Sequence, residues 1–167
     1  MPDFYSLELP IDSIPHSKNS TYLKNYGNSP SLVLPESKLR MRNRVEKFAI
    51  YFKREMKKEC VQFRTDETRD SDNFVPWEAY LFYEIACDRW NGENKNIPIR
   101  FIGSCCFRQS EGEPWRLDWA WFHPFFRRRQ HLRNAWPSFL KKYGDFKIEE
   151  PISTSMKEFL GRVKHSS

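Results

Sequence analysis

Apolar and polar residues alternate most cleanly near the middle of the second half of the chain. Trp115, Leu117, Trp119 and Trp121 interleave with Arg116, Asp118, Ala120 and Phe122, and a period of two is that of a β-strand. The period then changes. Leu132, Trp136, Phe139, Leu140 and Tyr143 recur at helical spacing until Gly144, a residue suited to a helix C-terminus. Upstream, Met41, Val45, Phe48, Ala49, Phe52 and Met56 share one face of a helix running from 37 to about 60. Two further strands lie between. In residues 77–86, Leu81, Tyr83 and Ile85 alternate with Tyr80, Phe82 and Glu84; in residues 99–107, Gly103 marks a candidate bulge.

Connections between the three strands are short, and Asn91-Gly92 lies in one of them, so the strands form an antiparallel meander. A short strand at 146–149 follows the helix; a crossover of that length makes it parallel to the third strand. Met156, Phe159, Leu160 and Val163 define a last helix. Ser153 or Ser155 caps it, and Glu158 gives Ser155 the capping-box spacing. Pro137 predicts a kink or an irregular first turn in the preceding helix. Residues 65–73 read as a polar loop. Residues 1–36 lack periodicity and contain Pro2, Pro10, Pro15, Pro30 and Pro35, which predicts an extended arm across the surface. The expectation is therefore an arm at 1–36 and an α+β domain at 37–167. That domain has a mixed sheet, mainly antiparallel, with one parallel β-α-β crossover and flanking helices.

The chain's 167 residues suit one domain with a real core. Its 28 Lys and Arg against 22 Asp and Glu leave a formal charge of +6. That favours an anionic partner without separating a nucleotide cofactor from nucleic acid or a membrane surface. The 16% aromatic content reads as a core built with Phe and Trp. Cys60, Cys87, Cys105 and Cys106 form no CxxC pair and lack zinc-ligand spacing, so no metal is expected. The absence of a hydrophobic leader and of an apolar run near 18 residues points to a cytoplasmic protein with reduced thiols and no membrane span. The first helix carries Arg40, Arg42, Arg44, Lys47, Lys53, Arg54, Lys57 and Lys58 on its polar side, either a solvated face or a basic surface for an acidic partner.

The chemistry concentrates where the third strand feeds the second helix, in Phe122-His123-Pro124-Phe125-Phe126-Arg127-Arg128-Arg129-Gln130-His131-Leu132. Unsatisfied N–H groups and the helix dipole favour an anion at such a terminus. Arginine there opposes the dipole, so four arginines within 127–133 speak for a bound anion rather than for helix stability.

Both the element order and this turn resemble the GNAT N-acetyltransferase superfamily, whose acyl-CoA motif is commonly written V-x-P-x-[YF]-R-x-x-G-x-[GA]. Phe122, Pro124, Phe126 and Arg127 occupy its V, P, Y/F and R places. Tyr143-Gly144-Asp145-Phe146 and the segment from Pro151 to Leu160 look like a divergent bacterial GNAT-like subgroup. The resemblance spans roughly residues 38–163. Gln130 and Leu132 stand where the motif has its two small residues, and the family's common tyrosine of the last helix has no counterpart. Strands six and seven of the family are also missing, which leaves a sheet edge for a partner subunit, as in a homodimer, or for the arm.

The resemblance implies acetyl-CoA as cosubstrate and an amine as acceptor. Phe122, Arg127, Arg128, Arg129, Gln130, His131 and Leu132 would hold the cofactor, while Asp118, Glu84 and His123 are the candidates for proton transfer. Two other readings stay open: a GNAT-shaped module that binds without catalysis, and a nucleic-acid-binding protein that uses the basic helix together with 127–133.

Overall fold

The computed structural model describes residues 3–15, 29–57, 74–93 and 95–164. Cys60, Lys58 and the loop at 65–73 lie outside them. Among the described residues, six strands form one open mixed sheet: β1 (Ile11–Pro15), β2 (Ser31–Val33), β3 (Trp77–Ile85), β4 (Asn96–Arg108), β5 (Arg116–Phe122) and β6 (Lys147–Ile148). Three helices accompany it: α1 (Leu39–Met56), α2 (His131–Tyr143) and α3 (Thr154–Lys164). The strand order is β2-β3-β4-β5-β6, with β1 paired to β4. All pairs are antiparallel except β5 with β6. The α+β expectation, including its single parallel crossover, describes this sheet.

The arm at 1–36 departs from expectation. It contributes β1 and β2 to the sheet instead of lying across a finished domain. β1 runs along residues 96–100 of β4, beyond the end of β5 on the same edge. The two partners lined up end to end account for the 13-residue length of β4. Backbone pairing to open strand edges creates these short strands despite their weak apolar pattern. Pro15 is tolerated because it closes β1. The edge beyond β6 is not the one the arm fills.

α1 and α2 cover opposite faces of the sheet. Phe48 and Tyr51 of α1 lie 5.8 and 5.2 Å from the Trp121 ring, while His131 of α2 stacks on Phe122 at 6.3 Å. Successive residues of a strand point to opposite faces, so these contacts fix the layer order. With both faces covered, residues 79–83 of β3 are all buried, and the alternation expected there does not show in burial. The β3–β4 register shift lies opposite Phe82/Tyr83 and leaves Ile102, rather than neighbouring Gly103, as the extra residue. A second shift makes Asp118 the extra residue of β5.

The basic side of α1 is partly structural. Arg44 is buried, meets Asp12 of β1 at 2.8 Å and sits 4.6 Å above the Phe101 ring. Arg40 reaches the same carboxylate at 3.0 Å. α1 ends at Met56, with Lys57 in the left-handed region, earlier than the expected stop near Cys60. Pro137 stands within α2, past its first turn. Ser153 caps α3 by accepting a hydrogen bond from Met156 N at 3.1 Å.

Candidate functional site

β5 and β6 pair only briefly. Their register covers Arg116 with Lys147 and Leu117 with Ile148, and Glu149 N donates to Leu117 O at 2.9 Å. Past Leu117 no strand of the described residues lies beside the outer edge of β5. His123 N donates inward to Ile102 O at 2.9 Å, so alternation turns the N–H and C=O of Ala120 and Phe122 outward. A groove of about 300 Å³ follows this edge. The end of α1 (Phe52, Glu55, Met56) walls it on one side; the start of α2 and α3 (Met156, Phe159, Val163) wall it on the other.

All seven residues expected to hold a cofactor line this groove: Phe122, Arg127, Arg128, Arg129, Gln130, His131 and Leu132. Gln130 is the N-cap of α2, yet its side chain caps nothing. The first donors of a 13-residue helix therefore lack a capping side chain. Arg128 and Gln130 both have positive φ, 64° and 69°. Left-handed residues set among right-handed ones turn neighbouring amides toward a common point, as in an anion-binding nest. Gln130 occupies a conformation that glycine adopts without cost, at the place where the family motif has glycine.

The arginines are less free than their sequence suggests. Arg127 donates to Glu55 through Nη1 at 2.8 Å and Nη2 at 2.5 Å, and through Nε to Phe122 O at 2.8 Å. Trp121 Nε1 donates to the same Glu55 carboxylate at 2.6 Å. Burial raises the Glu55 pKa, but these hydrogen bonds and the Arg127 charge outweigh it and bring the net value down. Arg129 lies 3.5 Å from Glu84 and over the rings of Phe125 and Phe126. Arg128 is exposed and has no ion pair among the described residues. No local pattern marks Glu55, which stands among the cations on the polar side of α1.

None of the three proton-transfer candidates lines the groove. Asp118, pushed out by the β5 register shift, lies 3.0 Å from Arg108; its carboxylate neutralises a neighbouring strand rather than facing a substrate. His123 is buried, and its Nδ1 accepts from Phe125 N at 3.2 Å, capping the short turn Pro124–Phe126. The N-terminal turn Phe4–Ser6 packs over it, with Tyr5 edge-on to the imidazole at 6.4 Å. Glu84 reaches the groove only through a neighbour: its Oε1 lies 2.7 Å from Nε2 of His131, which does line the groove. The structure thus joins two candidates that sequence placed in separate roles.

His123 has a consequence for stability. Burial, with the Arg127 charge adding to it, lowers its pKa below 6.5 despite opposing hydrogen bonds that the imidazole donates to the backbone of Phe4 and Tyr5. On acidification the unfolded chain takes up this proton first. Stability is therefore full above about 6.5 and declines as pH falls below it. Glu55 and Asp12, both lowered, extend the decline below the ordinary carboxylate range. Urea midpoints at pH 7.5 and 5.5 should show the lower value at 5.5, and His123→Gln should flatten that difference.

Among the described residues no group of His, Cys, Asp and Glu is arranged to hold a metal ion, and no helix is long and apolar enough to cross a membrane. Cys87, Cys105 and Cys106 are free thiols. Burial raises the Cys105 and Cys106 pKa values, which keeps both protonated and unreactive. Compared with known proteins, the chain matches no family model, no curated protein and no solved structure.

Proposed function

We propose that the groove binds acetyl-CoA and that the protein is a GNAT-like N-acyltransferase, moving the acetyl group to an amine. The observation that carries this reading is a free strand edge running straight into an uncapped helix N-terminus. The outward peptide groups of Ala120 and the outward N–H of Phe122, whose C=O already accepts from Arg127 Nε, suit an extended pantetheine arm, which carries amides of its own and can add to the edge like a strand. The α2 amides then meet the diphosphate.

In the transfer, the amine nitrogen attacks the thioester carbonyl. A C–N bond forms, the C–S bond breaks, the amine loses a proton and the departing thiolate gains one. Of the candidates, only Glu84 connects to the groove wall, through His131, whose place at the start of α2 puts it at the diphosphate end of the cosubstrate. The basic end of α1 favours an acceptor carrying negative charge. Free thiols accord with a cytoplasmic location.

One observation favours a second reading, acyl-CoA binding without transfer: Asp118 and His123 are both engaged away from the groove. Titration of the protein with acetyl-CoA by calorimetry, at low and moderate salt and beside a short DNA duplex, tests the shared premise. Micromolar acetyl-CoA binding is expected. Duplex binding with a steep salt slope and no acetyl-CoA heat would instead identify a nucleic-acid-binding protein. Thiol release across an amine panel then separates transfer from binding alone. Gln130→Gly should tighten acetyl-CoA several-fold, because it clears the amides, while removal of a left-handed cost of about 1 kcal/mol raises the stability of the fold; weaker binding would instead make the Gln130 amide a ligand.

A further inference from the structure

The groove accounts for a diphosphate and a pantetheine arm, but not for an aromatic shelf at its mouth. Phe125 stands in the turn between β5 and α2 with 61% of its surface exposed. Among the described residues only Tyr5 exposes more of an aromatic ring. It is held firmly: His123 Nδ1 accepts the Phe125 N–H at 3.2 Å, and the Phe126 ring meets it edge-on at 5.1 Å. The Arg129 guanidinium lies 4.8 Å from its centroid and 5.0 Å from that of Phe126. Arg129 and Phe126 both line the groove. The shelf is thus contiguous with the anion site, and the exposed cation Arg128 lies between Phe125 and the helix terminus in sequence.

We propose that Phe125 and Arg129 form a stacking platform for the purine of the bound nucleotide, with Arg128 meeting the phosphate on its ribose. The inference rests on the acyl-CoA reading and sharpens it, since it makes the adenosine 3′-phosphate half of the cosubstrate a recognised element rather than a solvated tail. A flat π-system beside a guanidinium offers both stacking and cation–π attraction to a base. Neither requires a particular hydrogen-bond edge, which fits a turn with no carboxamide other than Gln130 near the shelf. The charge pattern is complementary: Glu84 partly offsets Arg129, leaving Arg128 as the cation available to a terminal phosphate.

The test compares acetyl-CoA with S-acetyl-4′-phosphopantetheine, which lacks the adenosine 3′-phosphate and one phosphate of the diphosphate. Calorimetry would use the full chain, Phe125→Ala, Phe125→Trp and Arg128→Gln. The wild-type chain should bind acetyl-CoA more tightly than the fragment. Phe125→Ala should weaken acetyl-CoA on the order of tenfold, the usual cost of losing one stacked base, and leave the fragment unchanged; Phe125→Trp should retain acetyl-CoA binding. Arg128→Gln should weaken acetyl-CoA more than dephospho-CoA. Equal affinity of the wild-type chain for both ligands, or equal losses on both in Phe125→Ala, overturns the platform while acyl-CoA binding stands. Binding of neither ligand overturns both.

Discussion

Gly103→Ala lowers the stability of this fold by about 3 kcal/mol, near the upper end of what overpacking costs. A Cβ at this position would lie 2.5 Å from Phe122 Cδ1 and 2.7 Å from Trp121 O. The first contact is with a ring wedged between Phe82, at 4.8 Å, and His131. The second is with backbone inside the β4–β5 ladder, which cannot yield without loosening the pairing of Gly103 with Phe122. In thermal denaturation the variant should melt roughly 10 °C below the parent. Gly161, where a Cβ would meet nothing within 4 Å, supplies the control. It lies inside α3, so Gly161→Ala should raise stability by about 0.5–1 kcal/mol. The Gly103 change also reaches the site, because a displaced Phe122 ring moves a groove wall and the support of His131.

Ala120→Phe abolishes acetyl-CoA binding and leaves the fold in place. Ala120 is half-buried, and its peptide groups face the groove at the unpaired edge of β5. A benzyl group there enters a space of about 300 Å³ whose other walls include Leu132, Met156 and Phe159. The added ring is apolar among apolar neighbours, so the folded state tolerates it. The pantetheine arm loses its channel, and affinity should fall by at least about a hundredfold, or ~3 kcal/mol. Calorimetry reads the loss, and an unchanged melting temperature shows that the groove was blocked rather than unfolded. Wild-type affinity in this variant would mean that the ligand does not use the edge of β5.

Local pattern carried most of the architecture. The period-two run into β5, the change of period at α2 and the stop at Gly144 lie where the residues placed them, and so does the parallel return to β6. Two kinds of feature escaped. β1 and β2 take their identity from open edges of β3 and β4 rather than from their own alternation. The ion pairs that restrain the arginine turn join residues far apart in sequence: Glu55 and Arg127 are 72 positions apart, Glu84 and His131 47. No local period reports such partners. This is also why Asp118 and His123 looked available for catalysis. Asp118 is displaced by a register shift and His123 is buried under a turn from the N-terminal segment, neither of which has a local signature, although the His123–Phe125 hydrogen bond is itself local.

Glu55 illustrates what those partners do. It pins the Arg127 guanidinium in an ion pair at the groove wall and accepts the Trp121 indole N–H, joining the end of α1 to β5. Glu55→Gln keeps an acceptor for the indole while removing the charge. The variant should lose about 1 kcal/mol of stability yet bind acetyl-CoA more tightly, because the released guanidinium can turn to phosphate. Opposite signs for stability and affinity in one variant are not expected of a purely structural residue.

A crystal structure of the protein with coenzyme A bound tests the anion site most directly. The diphosphate should rest on the amides of residues 128–132, with the pantetheine arm beside Ala120 and Phe122 in the gap between β5 and β6. Coenzyme A seated elsewhere, or this gap closed by side chains with the two strands paired along their length, would contradict the account.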